Sequence, residues 1–449
     1  MTFASLPAFV TDALQTLRSA GYEAYLVGGC VRDILLGTGP HDFDLTTSAL
    51  PEEVRSVFAR RKTVDTGIKH GTVTVLYDGE PLEITTFRTE SGYSDNRHPD
   101  AVAFSRSLES DLCRRDFTVY AMAWAPKTGL VDLYGGREDL KNGLIRCVGD
   151  PETRFREDAL RILRAVRFSS TLGFAVEEAT SKAVHGLREL LHNVSSERVC
   201  AELKTLLCGK DAERVLTDYR DLFAVVLPEL APCFDFPQRS KYHVYDVYTH
   251  TVKVVAGVKP DPVMRLAALL HDTGKPFSCQ TEGETMHFKG HPEKSAAFAE
   301  KALRRLHAER TTIDRVCTLI RCHDDYEASE REEQLRLLAY LSPEQVEDLL
   351  DLMIADALAK SELGHSHAAR LREGKVGLHR LLEERIPLRV GDLAVDGDDL
   401  IALGYPAGKE IGKCLLDLLS RVQKGEFPNK KADLLTFLQG NRIDSPFIS

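Results

Sequence analysis

The 449-residue chain has no apolar run approaching the roughly 18 residues that a membrane span requires. Its N-terminus has no basic segment leading into an apolar one, so it does not resemble a signal peptide. Both absences point to a cytoplasmic protein with no membrane partner. Ten cysteines are scattered without a CxxC pair, several of them in apolar helical stretches. They read as reduced thiols rather than as a disulfide framework or zinc ligands. Internal repeats and low-complexity tracts are also missing, which excludes repeat architectures. Nor is there an excess of positive charge. The 58 Lys and Arg against 68 Asp and Glu leave a net charge of −10. That argues mildly against a nucleic-acid partner, because phosphate neutralisation drives most such affinity. Distribution matters more than the sum: arginines cluster from Arg146 to Arg167, and lysines recur at Lys409, Lys413, Lys424, Lys430 and Lys431. With 43% apolar and 28% charged residues, the composition is that of an ordinary soluble chain long enough for several domains.

Within that frame the stretch from Tyr25 to Thr47, YLVGGCVRDILLGTGPHDFDLTT, carries the most chemistry. Ala24 to Val27 reads as a strand, Gly28 and Gly29 as a turn, and a helix is expected to begin near Val31. Glycine lets backbone N–H groups approach a ligand, and a helix start adds partial positive charge. Arg32 supplies a fork that matches phosphate oxygens. Alone, a Gly-Gly pair is a tight strand-to-helix joint. Asp42 and Asp44, two apart on an expected strand, share a face, and two carboxylates held that close call for a cation such as Mg²⁺. Alone, they are a polar turn with two solvated aspartates; together with GGCVRD they point to triphosphate and metal.

These residues resemble the head of a class II nucleotidyltransferase, the family of bacterial CCA-adding enzymes and poly(A) polymerases. Further landmarks follow in family order: LEITTFRTE (Leu82 to Glu90), YSDNRHPDAVAF, DLCRRDFTVYAMAW (Asp111 to Trp124) and LYGGREDLKNGLIRCVGDPETRFREDALRILRAVRFSSTLGF. Arg114, Arg115 and Asp116 set two guanidiniums beside a carboxylate, a grouping suited to triphosphate and ribose. Glu83 reads equally as a third metal-site acid or as a partner for an arginine. Arg88 to Asp100, rich in turn-forming residues, is expected to be a mobile loop, and the resemblance implies that it takes part in switching nucleotides. The motif around Tyr93, Asp95 and Arg97 resembles that of complete CCA-adding enzymes. Tyr120 departs from the family, which usually shows Asn there.

Glu157, Asp158, Arg161, Arg164 and Arg167 are expected to advance along one side of a helix. The resemblance assigns Asp158 and Arg161 to reading the incoming base. C and A both offer an exocyclic amino donor beside a ring-nitrogen acceptor, which suits a carboxylate and a guanidinium; U and G present the opposite pattern. In isolation the same group is a salt-bridged amphipathic helix. Ala159 in EDALR stands where the family's poly(A) members tend to carry proline.

The second half carries another constellation. His250 lies in YHVYDVYTHTVKVV, His271 and Asp272 end the expected amphipathic helix PVMRLAALLHD, and Asp356 lies in DLMIADALAKSE. Each is expected on a helix, in the order of the HD phosphohydrolase superfamily, which these residues resemble. His291 and His323 match the extra ligands of its two-metal members. Imidazole and carboxylate together suit a divalent transition metal that lowers the pKa of a bound water. In the CCA-adding family, such an appended domain resembles enzymes with phosphatase and 2′,3′-cyclic phosphodiesterase activity.

The expected fold is α+β: a polymerase-β-like nucleotidyltransferase head (1–145), a helical neck with nucleotide-base and tRNA binding (146–235), an HD domain (236–375) and a helical tail (376–449). The tail reads either as a grip on the tRNA backbone or as a solvated amphipathic helix pair. The expected function is template-free addition of CCA to tRNA from CTP and ATP. Asp42 and Asp44 would be catalytic metal ligands, and Gly28, Gly29, Arg32, Arg115, Asp158, Arg161, Arg164 and Arg167 would bind the nucleotide. The alternatives are a poly(A) polymerase, a CC-only or A-only transferase, and an HD hydrolase or RNA-binding protein with a degenerate head.

Overall fold

The computed structural model of the protein describes residues 2–65, 67, 70–91, 101–324 and 328–441. Alternation dictates the head. Thr72–Tyr77 (TVTVLY) buries every second residue, as a strand with one wet face must. In chain order the head strands are β1 (Ala24–Val27), β2 (Asp44–Thr47), β3 (Thr63–Val64), β4 (Thr72–Tyr77), β5 (Glu80–Thr86), β6 (Arg88–Ser91), β7 (Ala101–Phe104), β8 (Met122–Ala125) and β9 (Gly129–Asp132). Seven form one mixed sheet in the order β3-β4-β5-β2-β1-β8-β9. β2 and β5 run parallel, with Asp44 opposite Glu83; β1 pairs antiparallel with both β2 and β8. Helix Ala8–Ser19 buries Val10, Ala13, Leu14 and Leu17, the i, i+3, i+4, i+7 stripe of an amphipathic helix. Each such leucine contributes about 1.5–3 kcal/mol by leaving water.

Two expectations about the head are corrected. The strand carrying the aspartates begins at Asp44, so Asp42 lies in the turn before it. The helix after the glycines begins at Gly29 rather than near Val31. The stretch expected to be a loop begins as a strand, Arg88–Ser91, which pairs with Ala101–Phe104 just beyond that stretch, Arg88 opposite Phe104. Tyr93, Asp95 and Arg97 lie outside the described residues.

The chain divides into two compact units, residues 1–231 with 302–308, and residues 232–301 with 309–449. Head and neck thus share the first unit. The neck contains helices Pro151–Glu157, Leu160–Leu172, Glu178–Leu187 and Ser196–Leu207. The second unit carries Val247–Gly257, Pro262–Leu270, Arg310–Cys322, Pro343–Leu358 and Glu362–Glu383, with a small hairpin of Gln280–Glu282 and Thr285–His287. The expected boundary at 375/376 falls inside the continuous helix Glu362–Glu383 and is corrected to beyond its end. Past it, Gly397–Ala402, Lys409–Gln423 and Lys431–Asn441 gather around their own core of Leu400, Leu415, Leu418, Leu434 and Leu438.

Candidate functional sites in the head and the HD domain

At the turn after β1, Gly28 adopts φ +78°, which a side chain rarely tolerates. A Cβ there would also stand 3.3 Å from Arg115 Nη1. The guanidinium of Arg115 therefore lies against the glycine turn. Asp111, fully buried, holds it: Oδ2 accepts from Arg115 Nη2 at 3.2 Å, and Oδ1 from Arg114 Nη2 at 2.7 Å. Thr46 of β2 donates its hydroxyl to the same carboxylate. Sequence reading passed over Asp111; its signal was an acid three and four residues before two arginines on a short helix.

Asp44 is half-buried beside this arginine. Burial pushes its carboxyl up to about 6, aided by the charges of Asp42 and Glu83 and opposed by Arg115. Three carboxylates thus share one neighbourhood, and Glu83 makes no ion pair among the described residues. Two like charges beside a half-buried third are unfavourable without a cation, and oxygen donors of this kind suit Mg²⁺. Arg32 does not reach towards this group: its Nε donates to Asp33 Oδ1 at 2.7 Å, and its guanidinium lies 4.6 Å from the Tyr120 ring centroid. Tyr120 itself packs on Phe168, with ring centroids 4.1 Å apart. The aromatic residue standing in place of Asn therefore ties Arg32 to the neck.

The expected single helix through Glu157 to Arg167 is corrected. One helix ends at Glu157, Asp158 is extended (φ −134°, ψ 105°), and the next runs Leu160–Leu172. Asp158 Oδ1 accepts from the Leu160 N–H, and Oδ2 from Arg198 Nη2 at 3.0 Å. A capping aspartate competes with continuous helix in this way. Arg161 is buried and donates to Glu157 Oε2 at 2.6 Å and to the Arg114 carbonyl at 3.1 Å. Arg164 donates to Asp116 and Arg167 to Glu202. Asp116 is held well ionised; burial opposes this, and Arg164 and Arg161 outweigh it. The arginine cluster is thus balanced by acids, a rigid framework rather than an open basic patch.

In the second unit, His250, His271, Asp272, His291, His323 and Asp356 come together, all buried. Two groups of three have ligand atoms within 4.8 Å of one another: His250, His271 and Asp272, and Asp272, His291 and His323. Asp272 belongs to both. Its Oδ2 lies 3.1 Å from His271 Nε2 and 3.5 Å from His250 Nε2, and its Oδ1 lies 3.2 Å from His291 Nε2. Asp356 Oδ1 is 2.9 Å from His250 Nε2. Each imidazole is oriented from behind by its Nδ1–H, which donates to the carbonyl of Ala359, Ala268, Phe288 or Ile320. That bond aims each Nε2 at the centre, as in metal-binding histidines.

This donor set fits metal. Two Nε2 atoms, of His291 and His323, face each other at 3.3 Å, and His271 Nε2 and both Asp272 oxygens are buried without a well-angled hydrogen bond. Burial pushes His250 and His323 down, favouring the neutral ligand form. Burial also disfavours charge on His271, but Asp272 outweighs it and holds the ring at about 9, a proton where a cation would serve. Lys275 Nζ lies 2.7 Å from Asp272 Oδ2, and Lys360 Nζ reaches Asp356 Oδ2. Two expectations are corrected here: helix Pro262–Leu270 is buried on all sides rather than amphipathic, and His271 and Asp272 follow its end.

Comparison with known proteins bears on both sites. The CCA-adding enzyme of Lactobacillus delbrueckii subsp. bulgaricus is 37% identical over 434 residues, covering 95% of this chain and 96% of that one. The chain belongs to the family of CCA-adding enzymes. Another member, from Lactobacillus helveticus, is 56% identical over 208 residues, a match spanning 46% of this chain and about half (52%) of that relative. The crystal structure of the Bacillus stearothermophilus CCA-adding enzyme in complex with CTP is 32% identical, covers 97% of each chain and has a TM-score of 0.72. The poly A polymerase head domain matches residues 24–146, the probable RNA and SrmB-binding site of polymerase A 173–234, and the HD domain 241–361. Within this family framework the glycine turn and three carboxylates lie in the head match, and the His–Asp cluster lies in the HD match. Among the described residues no helix is long and apolar enough to cross a membrane.

Proposed function

We propose that this chain completes tRNA 3′ ends in the cytoplasm, adding C, C and A from CTP and ATP by nucleotidyl transfer to the tRNA 3′-hydroxyl. The observation that carries the reading is the meeting of Asp42, Asp44 and Glu83 with Arg115 against the Gly28 turn. Asp42 and Asp44, with Glu83, would hold Mg²⁺, whose charge supplies neutralisation of the triphosphate. Arg115, anchored by Asp111, binds phosphate oxygens over the glycine turn, with Gly28 and Gly29 giving close backbone approach. Arg32 stiffens that turn through Asp33 and Tyr120. Asp158 accepts from the exocyclic amino group of C or A, and Arg161 donates to the ring nitrogen. Arg164 and Arg167 hold the framework around them.

In the HD domain, His250, His271, Asp272 and Asp356 would hold one divalent transition metal, and His291 and His323, sharing Asp272, a second. Such metals supply an activated water for hydrolysis. The substrate class is a phosphate monoester or cyclic phosphate at an RNA end. The lysines of the helical tail are read as tRNA contacts. Lys413 and Lys431 are already paired with Glu410 and Asp399, so the salt dependence should be modest in slope.

The deciding experiment incubates the protein with tRNA lacking its last three nucleotides, with CTP, ATP or both, and reads products at nucleotide resolution. Three added nucleotides with both triphosphates support the reading. Long tails from ATP alone, or arrest after CC or A, replace it. Release of phosphate from a 2′,3′-cyclic-phosphate RNA end, lost in H271A and D272A, tests the HD domain.

A further inference from the structure

A cavity of about 570 Å³ opens beside the His–Asp cluster, large enough for a small ligand. Lys241, Lys275, Lys289 and Lys360 line it, with Asp324 the one lining carboxylate among the described residues. A lining of that charge suits an anion. The sequence reading left one further lining residue without a role. His243 lies in the run KYHVYDVYTH, seven residues before His250, and its ring centroid is 5.7 Å from that of His250. It holds no place in either group of ligands.

Ser240 Oγ lies 2.7 Å from Nδ1 and accepts from the Tyr242 backbone N–H at 3.3 Å. The hydroxyl can donate its hydrogen to Nδ1, and in that tautomer the ring proton sits on Nε2. Nε2 is buried and makes no hydrogen bond among the described residues. In the four neighbouring histidines Nδ1–H donates to a carbonyl and Nε2 is held towards the cluster. Beside them, the His243 Nε2 has no hydrogen-bond partner among the described residues, at a cavity lined by ammonium groups.

We propose that His243 is a substrate-contacting residue of the HD site, donating its Nε2–H to an oxygen of the phosphate ester bound in this cavity. Lys275 and Lys360 line the same cavity but are paired with Asp272 and Asp356, so Lys241 and Lys289 supply the charge and His243 a directed bond. The inference deepens the phosphohydrolase reading of this site and rests on it.

The test uses the full chain loaded with Mn²⁺ and, as probe, adenosine 2′-monophosphate. Binding is measured by calorimetry and hydrolysis by released phosphate, with D272N run in parallel so that nucleotide held by the head is subtracted. Loss of one hydrogen bond to a charged oxygen should raise both the Kd and the KM of H243A by about ten- to a hundredfold. H243Q, whose amide N–H reaches the Nε2 position, should recover most of that loss. S240A, which frees the tautomer, should lie between wild type and H243A. Metal content is measured for each variant; if H243A loses metal, H243Q against wild type decides. A Kd unchanged in H243A, or H243Q as weak as H243A with metal retained, overturns the role of His243. Wild type that neither binds the probe in a D272-dependent way nor hydrolyses it overturns the phosphohydrolase reading instead.

Discussion

Replacing Asp111 by Asn changes one atom beneath the glycine turn and should disturb the head in two measurable ways. The wild-type carboxylate, 0% exposed, accepts from Arg114 Nη2 at 2.7 Å, Arg114 Nε at 3.1 Å, Arg115 Nη2 at 3.2 Å and Thr46 Oγ1 at 3.2 Å. Asparagine turns an N–H₂ towards at least one guanidinium, so at least one charge-assisted bond worth about 1.5–3 kcal/mol is lost. Both arginine side chains are mostly buried, at 17% and 19% exposure, so the unpaired charge is poorly compensated by water. A total loss of about 3 kcal/mol is expected for the first unit, at the low end for breaking a buried pair. Arg115, released from its anchor, should no longer stay over Gly28. Affinity for CTP and ATP should then fall together, by about tenfold, equivalent to 1.4 kcal/mol. Denaturant unfolding and calorimetric titration of each nucleotide check both numbers. The Asp111 carboxyl is held below the usual carboxylate range; burial acts against this, and Arg115 and Arg114 outweigh it. Its stabilisation is therefore present above about pH 4, where the unfolded group is ionised, and is lost as pH falls through the lower folded value. D111N should flatten that acid limb. Unchanged stability, or a loss of affinity confined to one nucleotide, would refute the anchoring role.

Three further outcomes are expected. D44N should lower incorporation of both CTP and ATP by about 10³ or more, as removal of a charge-organising group does, with the fold intact by circular dichroism. Because burial, Asp42 and Glu83 push the Asp44 carboxyl up to about 6, protons should compete with Mg²⁺ below that pH, and raising Mg²⁺ should move the acid limb of activity lower. D158A should erode discrimination against UTP and GTP by about 1–3 kcal/mol in kcat/KM, measured by single-nucleotide incorporation. Elemental analysis should find both metals lost from D272N, whose carboxylate serves both groups of ligands, and one retained in H291A.

Much of this was legible in the chain because the groups lie close in sequence. Strand Ala24–Val27, the glycine turn and Asp44 sit within one local run, where period and turn chemistry speak directly. The six HD-site residues were legible for another reason: they follow one another in the order of the HD phosphohydrolase superfamily that the chain resembles. What sequence could not give was tertiary pairing. Asp111 was given no role, because its bond from Thr46 spans 65 residues of chain and only its spacing from the two arginines is local. The break at Asp158 was hidden because the three-residue spacing of its neighbours mimics a helix, while the carboxylate that caps the next one is held by Arg198, forty residues away. Arg32 looked like a phosphate fork, but Tyr120, distant in sequence, draws it aside.

That break has a consequence for how product choice is encoded. Ala159 has φ −59°, within the range a proline ring imposes, and follows the extended backbone that proline favours in its predecessor. Its N–H donates no backbone hydrogen bond among the described residues. The backbone of this turn is thus one that proline, the residue the poly(A) members tend to carry there, also adopts. The alanine gives the turn its shape no less well; it leaves it looser. If this position helps separate three-nucleotide addition from long tails, the information lies in stiffness, in how far a base-reading carboxylate can shift between one nucleotide and the next.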